Sequence, residues 1–475
     1  MTKHARIATR VAVAAFAGVL LAACATIDTG PINVVTTEAV RPSPEFIPDA
    51  GDDGSTVVGL AFSGGGTRAA AFAFGVLKEL DSYVIDEKPY RRSLIDDVRM
   101  VSGTSGGAVA AAYFGYKGKD GYVDFRERFL IQDVEASMRT RIAPANLLRA
   151  FRGGVNDRNN FAEWLDDNLF DGATFESLKR PDAPIVWITS SDIYNGTPFL
   201  FTYDTFAALC SDLGKVALSD AVAASAAVPV IFSPLLVSKG TADCGYQRPA
   251  WLTRALADPE APLRLKAYAR SLESYRPGGP LQHVRLLDGG LTDNTGITGF
   301  ALERAASLTP HGPLSRAEAV KLRTMLFVAA DAGRQITPAW GATPLGPKLT
   351  QLVPAVTNAA ITSSMREGFD ALELAIAKWR GELTHFRCGL SSEEVRRYRG
   401  TLKGWDCRDV DIIVEHLSFR DADPAKFEAL NQIPTRLTLR PDQVDLAIEA
   451  GREAVRSKET IRQAAARTRM IAAAQ

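Results

Sequence analysis

Asp97-Val98-Arg99-Met100-Val101-Ser102-Gly103-Thr104-Ser105-Gly106-Gly107-Ala108-Val109-Ala110-Ala111-Ala112-Tyr113 is the stretch that decides the fold. Its first six residues alternate in polarity as a strand does, and the alanine-rich run after Gly107 holds no helix breaker. Between the two, the chain turns sharply from strand into helix at Ser105. The flanking glycines tolerate the crowded backbone of such a turn, and the new helix aims its free amides and positive dipole end at the serine oxygen. A serine presented this way can attack an acyl carbon. Read alone, residues 103–107 equally fit a tight glycine turn that happens to contain a serine.

Two further segments bear on the choice. Upstream, Val57-Val58-Gly59-Leu60-Ala61-Phe62 reads as a buried strand. It is followed by Ser63-Gly64-Gly65-Gly66-Thr67-Arg68 and an apolar helical stretch through Leu80. Three glycines before a helix leave backbone N–H groups able to converge on an anion, such as a tetrahedral oxyanion. A phosphate loop is a poorer match, since its lysine is missing and no G-x-G-x-x-G is present. Downstream, His283-Val284-Arg285-Leu286-Leu287-Asp288-Gly289-Gly290 places Asp288 at the carboxyl end of an apolar strand. In open α/β sheets active sites collect at that edge, where Asp288 can meet Ser105; an Asp-Gly turn is the competing reading.

In this order, a glycine-rich loop, a G-x-S-x-G elbow and a D-G-G motif resemble the patatin-like phospholipases. A fourth patch, Ala224-Ser225-Ala226-Ala227-Val228-Pro229-Val230-Ile231-Phe232-Ser233-Pro234, is similar to that family's A-S-x-A-x-P-x-x-F-x-P segment. The resemblance covers roughly residues 55–335. It implies a catalytic dyad without histidine, in which Ser105 is the nucleophile and Asp288 the general base. It also implies an oxyanion hole from Gly64, Gly65 and Gly66, with Arg68 bracing the loop or contacting an anionic head group. Ser63 departs from the plant members, which carry aspartate there. The implied fold is a three-layer α/β arrangement. The alternation of short apolar strands with helical stretches from residue 55 onward independently points to a layered, at least partly parallel sheet with helices on both faces.

The amino terminus bears on location. Lys3, Arg6 and Arg10 precede an apolar run over residues 11–21 that is short for a membrane span, and Leu21-Ala22-Ala23-Cys24 resembles a bacterial lipoprotein box. Residues 1–23 then read as a signal peptide and Cys24 as the acylated residue. Ala25 suggests sorting to an outer membrane, on its periplasmic face. Residues 24–54, with Pro42, Pro44, Pro48 and several glycines, read as a lipidated tether. The hydrolase domain spans 55–440 with insertions, and 441–475 reads as a basic terminal helix. Residues 243–281 read as a lid, and the mixed basic and apolar residues 139–152 as a bilayer contact or a solvated helix.

The 475-residue chain balances 55 Lys+Arg against 55 Asp+Glu, which gives no reason to expect nucleic acid, and no metal or cofactor motif is present. Beyond Cys24 the cysteines are Cys210, Cys244, Cys388 and Cys407. Pairing Cys210 with Cys244 and Cys388 with Cys407 closes the shortest loops of the three connectivities, each bond contributing about 3 kcal/mol; four free thiols are the alternative. The functional expectation is a serine acyl hydrolase acting on phospholipid or lysophospholipid esters at a membrane it reaches through its lipid anchor. Two rivals are an α/β-hydrolase with a Ser-Asp-His triad drawing on His311, His385 or His416, and a noncatalytic lipid-binding envelope lipoprotein.

Overall fold

The computed structural model describes residues 30–40, 43, 47, 52–88, 90–138, 155–156, 158–240, 244–334, 344 and 346–473. The signal peptide, Cys24 and residues 139–152 lie outside them. Eight strands form one sheet: β1 (Thr56–Phe62), β2 (Val98–Thr104), β3 (Ile185–Asp192), β4 (Thr197–Leu200), β5 (Leu235–Ser238), β6 (His283–Leu287), β7 (Thr324–Asp331) and β8 (Asp411–Ser418). Their order is β8-β7-β1-β2-β3-β6-β5, with β4 paired to β3. The first five are mutually parallel, whereas β6 and β4 run antiparallel to β3. Both faces of β1 are buried, as parallel strands require. Val58, Leu60 and Phe62 enter one core with Phe72 and Val109, and Val57 and Ala61 enter the other with Met100, Phe327 and Trp379.

Helices cover both faces. The ones that matter for the site are α1 (Thr67–Ser82), α2 (Gly106–Gly121), α3 (Leu218–Ser225), α4 (Ala250–Ala257), α5 (Leu263–Tyr275), α6 (Leu349–Cys388), α7 (Pro441–Ser457) and α8 (Glu459–Ala473). Register brings the active elements together: Phe62 pairs with Gly103 and Ala330, and Thr104 with Thr189. The glycine loop, Ser105 and the end of β3 therefore share one edge.

Three sequence expectations change. First, residues 441–473 form two packed helices, α7 and α8, rather than the one basic terminal helix expected over 441–475. α7 buries Val444, Ala447, Ile448, Ala454 and Val455, and α8 buries Ile461, Ala464 and Ile471. Many of their cations are paired, Arg452 with Glu79, Arg456 with Glu449 and Arg467 with Asp409 and Asp411. α7 crosses α1 at backbone contact: a Cβ added to Gly75 would overlap the Ile448 carbonyl, and one on Gly451 the Phe72 carbonyl. Gly75→Ala and Gly451→Ala are each expected to lower stability by about 1–3 kcal/mol, measured by urea unfolding. Unchanged midpoints in both would mean that this crossing is loose.

Second, part of the tether is docked. The Ile32 N–H donates to the Leu236 carbonyl at 2.8 Å, and the buried Asn33 amide donates to Ser211 Oγ at 2.9 Å and accepts from the Ser238 N–H at 2.8 Å. One side chain offering both donor and acceptor fixes the segment beside β5. Third, the described part of the expected lid is fixed into the body. Leu265, Tyr268, Leu272 and Tyr275 of α5 are buried, Tyr275 Oη donates to Asp192 at 2.6 Å, and Trp251 Nε1 of α4 donates to Asp204 at 2.8 Å.

Candidate active site

The turn from β2 to α2 puts Ser105 at φ 53°, ψ −122°, a conformation costly for any residue with a Cβ. The glycines on either side make it feasible. A Cβ on Gly103 would overlap the Gly107 carbonyl, and one on Gly107 the Phe62 carbonyl. The turn is pinned by Ser225 at the end of α3: the Ser105 N–H donates to Ser225 Oγ at 2.8 Å, and that hydroxyl donates to the Thr189 carbonyl at 2.5 Å.

Asp288 faces the serine. Ser105 Oγ donates to Asp288 Oδ2 at 2.8 Å, and the Gly290 N–H donates to Oδ1 at 2.8 Å. The aspartate's backbone is also held, its N–H donating to the Ala227 carbonyl at 2.9 Å and its carbonyl accepting from Ser191 Oγ at 2.8 Å. The Gly289 N–H donates to the Ser225 carbonyl at 2.9 Å, so the same serine steadies both partners. Ser105 and Asp288 are 7% and 9% exposed. Burial pushes the Asp288 carboxyl up to about 6, opposed by the hydrogen bonds from Gly290 and Ser105. At neutral pH such a carboxylate is ionised yet basic enough to take a hydroxyl proton in a transition state.

The glycine loop lies against this pair. A Cβ built on Gly64 would stand 3.3 Å from the Ser105 Cβ. The Gly64 N–H, however, is already engaged by the Asn294 carbonyl at 2.9 Å, so the expectation that all three glycines donate to an oxyanion is corrected at Gly64. Gly65 and Gly66, at φ 143° and 62°, have amides with no acceptor among the described residues. Two free N–H groups beside a nucleophile can stabilise a developing oxyanion. Residues 60–301 match the family model described as patatin-like phospholipase. The chain belongs to the patatin-like phospholipase family.

No curated protein matches this patatin-like chain. Among solved structures, human GIVD cytosolic phospholipase A2 is similar at 14% identity over 88% of this chain and 61% of its own, with a TM-score of 0.42. Its complex with methyl gamma-linolenyl fluorophosphonate gives 15%, 88%, 60% and 0.40 in the same order. VipD from Legionella pneumophila gives 12%, 93%, 72% and 0.29. The patatin-like chain thus spans about three-fifths of the length of the first two.

Arg68 is a brace. It is 3% exposed, and its Nε and Nη1 donate to the Ala332 and Ile433 carbonyls at 3.0 and 2.9 Å, which corrects the head-group reading. Burial, with Arg334 nearby, lowers it to about 9. Ser63, where plant patatins carry aspartate, accepts from the Ala332 N–H at 3.0 Å and ties the loop to the end of β7. Sequence reasoning missed Asn294, Ser191 and the role of Ser225; only Ser225 lay in a recognised motif.

The histidines lie elsewhere. His311 Nδ1 contacts the Leu314 carbonyl at 2.8 Å, His416 Nε2 lies 3.5 Å from Asp331, and His385 is in the last turn of α6. Among the described residues none hydrogen-bonds Ser105 or Asp288. The four cysteines form Cys210–Cys244 and Cys388–Cys407.

Proposed function

We propose that this chain is a serine acyl hydrolase that cleaves the carboxylic esters of phospholipids or lysophospholipids through a Ser105–Asp288 dyad. The observation that carries the proposal is the 2.8 Å hydrogen bond from the strained Ser105 hydroxyl to the buried Asp288 carboxylate, beside two unengaged glycine amides. Ser105 Oγ attacks the acyl carbon as its proton passes to Asp288, and the tetrahedral oxyanion rests on the Gly65 and Gly66 N–H groups. Collapse expels the alcohol, which takes the proton from Asp288, and leaves an acyl-serine. A water molecule, deprotonated by Asp288, then attacks that ester and releases the fatty acid and the free serine.

A lipid substrate is favoured by the rim of the site. Val228, Val230 and Ile231 are exposed directly after Ala227, whose carbonyl holds the Asp288 N–H, and Leu291 is exposed three residues past Asp288. Val230, 63% exposed, is held at φ 74°, a strained conformation for a β-branched residue. We further propose acylation at Cys24 after loss of residues 1–23 and residence in the outer membrane facing the periplasm. The support is the Leu21-Ala22-Ala23-Cys24 box together with two cysteine pairs suited to an oxidising compartment.

The test is fatty acid release from phosphatidylcholine and lysophosphatidylcholine vesicles, compared with a short-chain water-soluble ester. Faster turnover of the lipids is expected. Turnover of the soluble ester alone would remove the lipid assignment while keeping the hydrolase.

A further inference from the structure

At the amino-terminal ends of β1 and β7, opposite the catalytic edge, a cavity of about 540 Å³ opens between the start of the sheet, the helix Ser392–Arg399 and α8. β1 separates it from the glycine loop by seven residues, or about 20 Å at the rise of a strand. Its walls carry Lys321, Arg323, Arg399 and Lys403 against one carboxylate, Asp53.

The protein answers only part of this charge. Arg323 donates to the Gly404 carbonyl at 2.6 Å and lies 3.3 Å from Asp409, a carboxylate it shares with Arg467. The Arg399 side chain has no hydrogen bond or ion pair among the described residues. Its guanidinium packs over the Trp405 ring at 5.3 Å, and its Nη1 is buried without an acceptor. Burial and the nearby Arg323 disfavour its charge, opposed only in part by Asp409. The exposed Lys403 ammonium likewise has no carboxylate among the described residues. Thr401 Oγ1 accepts the Lys403 N–H at 3.0 Å, which leaves the hydroxyl proton free to donate.

A guanidinium with its donors unused, held near a second arginine, is an unfavourable arrangement that an anion would relieve. The arginine fork matches two oxygens of a tetrahedral phosphate, and a lysine and a hydroxyl can serve the others. The cavity is larger than a bare phosphate needs and leaves room for an organic substituent. We propose that this cavity is a phosphate-binding site in which Arg399, Lys403 and Thr401 contact the anion and Lys321 and Arg323 supply the surrounding field. The source is either a phospholipid head group or a free phosphate compound. The site is separate from Ser105 and stands whether or not the chain hydrolyses lipid.

The experiment is calorimetric titration of the full chain with inorganic phosphate at low ionic strength, beside Arg399→Gln and Lys403→Gln. Saturable binding by the parent, weakened about ten-fold or more in each variant, is the expected result. Melting temperature checks that the variants fold: phosphate should raise it for the parent and not for Arg399→Gln, which should match or exceed the parent without phosphate. No binding by the parent, or equal binding by all three proteins, overturns the site. Flotation with phosphatidylcholine vesicles, with and without phosphatidic acid, then separates the sources. A gain with phosphatidic acid that Lys403→Gln abolishes assigns a lipid head group, and phosphate binding without such a gain assigns a free compound.

Discussion

Replacing Ser105 with alanine should end covalent labelling by a fluorophosphonate and lower ester hydrolysis by roughly 10⁴-fold or more, while the protein stays folded. Alanine meets the same backbone strain at φ 53° as serine does, so the turn loses no conformational advantage. The amide that bonds Ser225 is kept, and Asp288 keeps its Gly290 N–H. What disappears is the atom that forms the acyl bond. Mass spectrometry of the parent should place the phosphonyl group on Ser105. Labelling that persists in Ser105→Ala, or hydrolysis at the parental rate, would end the case for this nucleophile.

Asp288→Asn should be nearly as damaging, and the pH profile distinguishes a base from a mere neighbour. The base must be unprotonated to accept the serine proton. With Asp288 near 6, kcat/KM of the parent should be flat above that value and fall about ten-fold per unit below it. The variant should lack this limb along with most of the rate.

Stability runs the other way. A carboxyl whose folded value lies above its unfolded value of 3.8 favours the folded state at low pH, and that contribution is lost as pH rises through about 6. Asp288→Asn should therefore melt higher than the parent near pH 8, by up to about 3 kcal/mol of stability, with the advantage gone near pH 4. A variant equally inactive but no more stable at high pH would mean that Asp288 is not held charged at a cost to the fold.

The parts of the site legible in sequence are those whose constraint is local. Gly103, Ser105 and Gly107 mark the elbow because the clashes that demand glycine come from a turn a few residues long and from the adjacent strand. Asp288 is marked by the strand before it and the two glycines after it. What could not be read depends on distant partners. Gly64 looks equivalent to Gly65 and Gly66 until the Asn294 carbonyl arrives to take its amide. Residues 441–475 read as a basic helix because several of the carboxylates that pair their arginines, Glu79 with Arg452 and Asp409 and Asp411 with Arg467, lie elsewhere in the chain. The apolar stripe of α7 was present in the letters, but nothing local named α1 as its mate. Asn33 gave no sign that β5 would receive it.

The glycine loop is closed by a segment that follows Asp288 in the chain: the Thr67 N–H donates to the Arg436 carbonyl at 2.9 Å and Arg68 to the Ile433 carbonyl, just before α7, which crosses α1. A ribosome delivers these residues after both Ser105 and Asp288. While the chain is being made, Ser105 and Asp288 emerge long before the segment that locks the loop beside them. A catalyst built this way reaches its working form only once residues 433–436 have been made, and a polypeptide cut short before them lacks the fastening that completes its site.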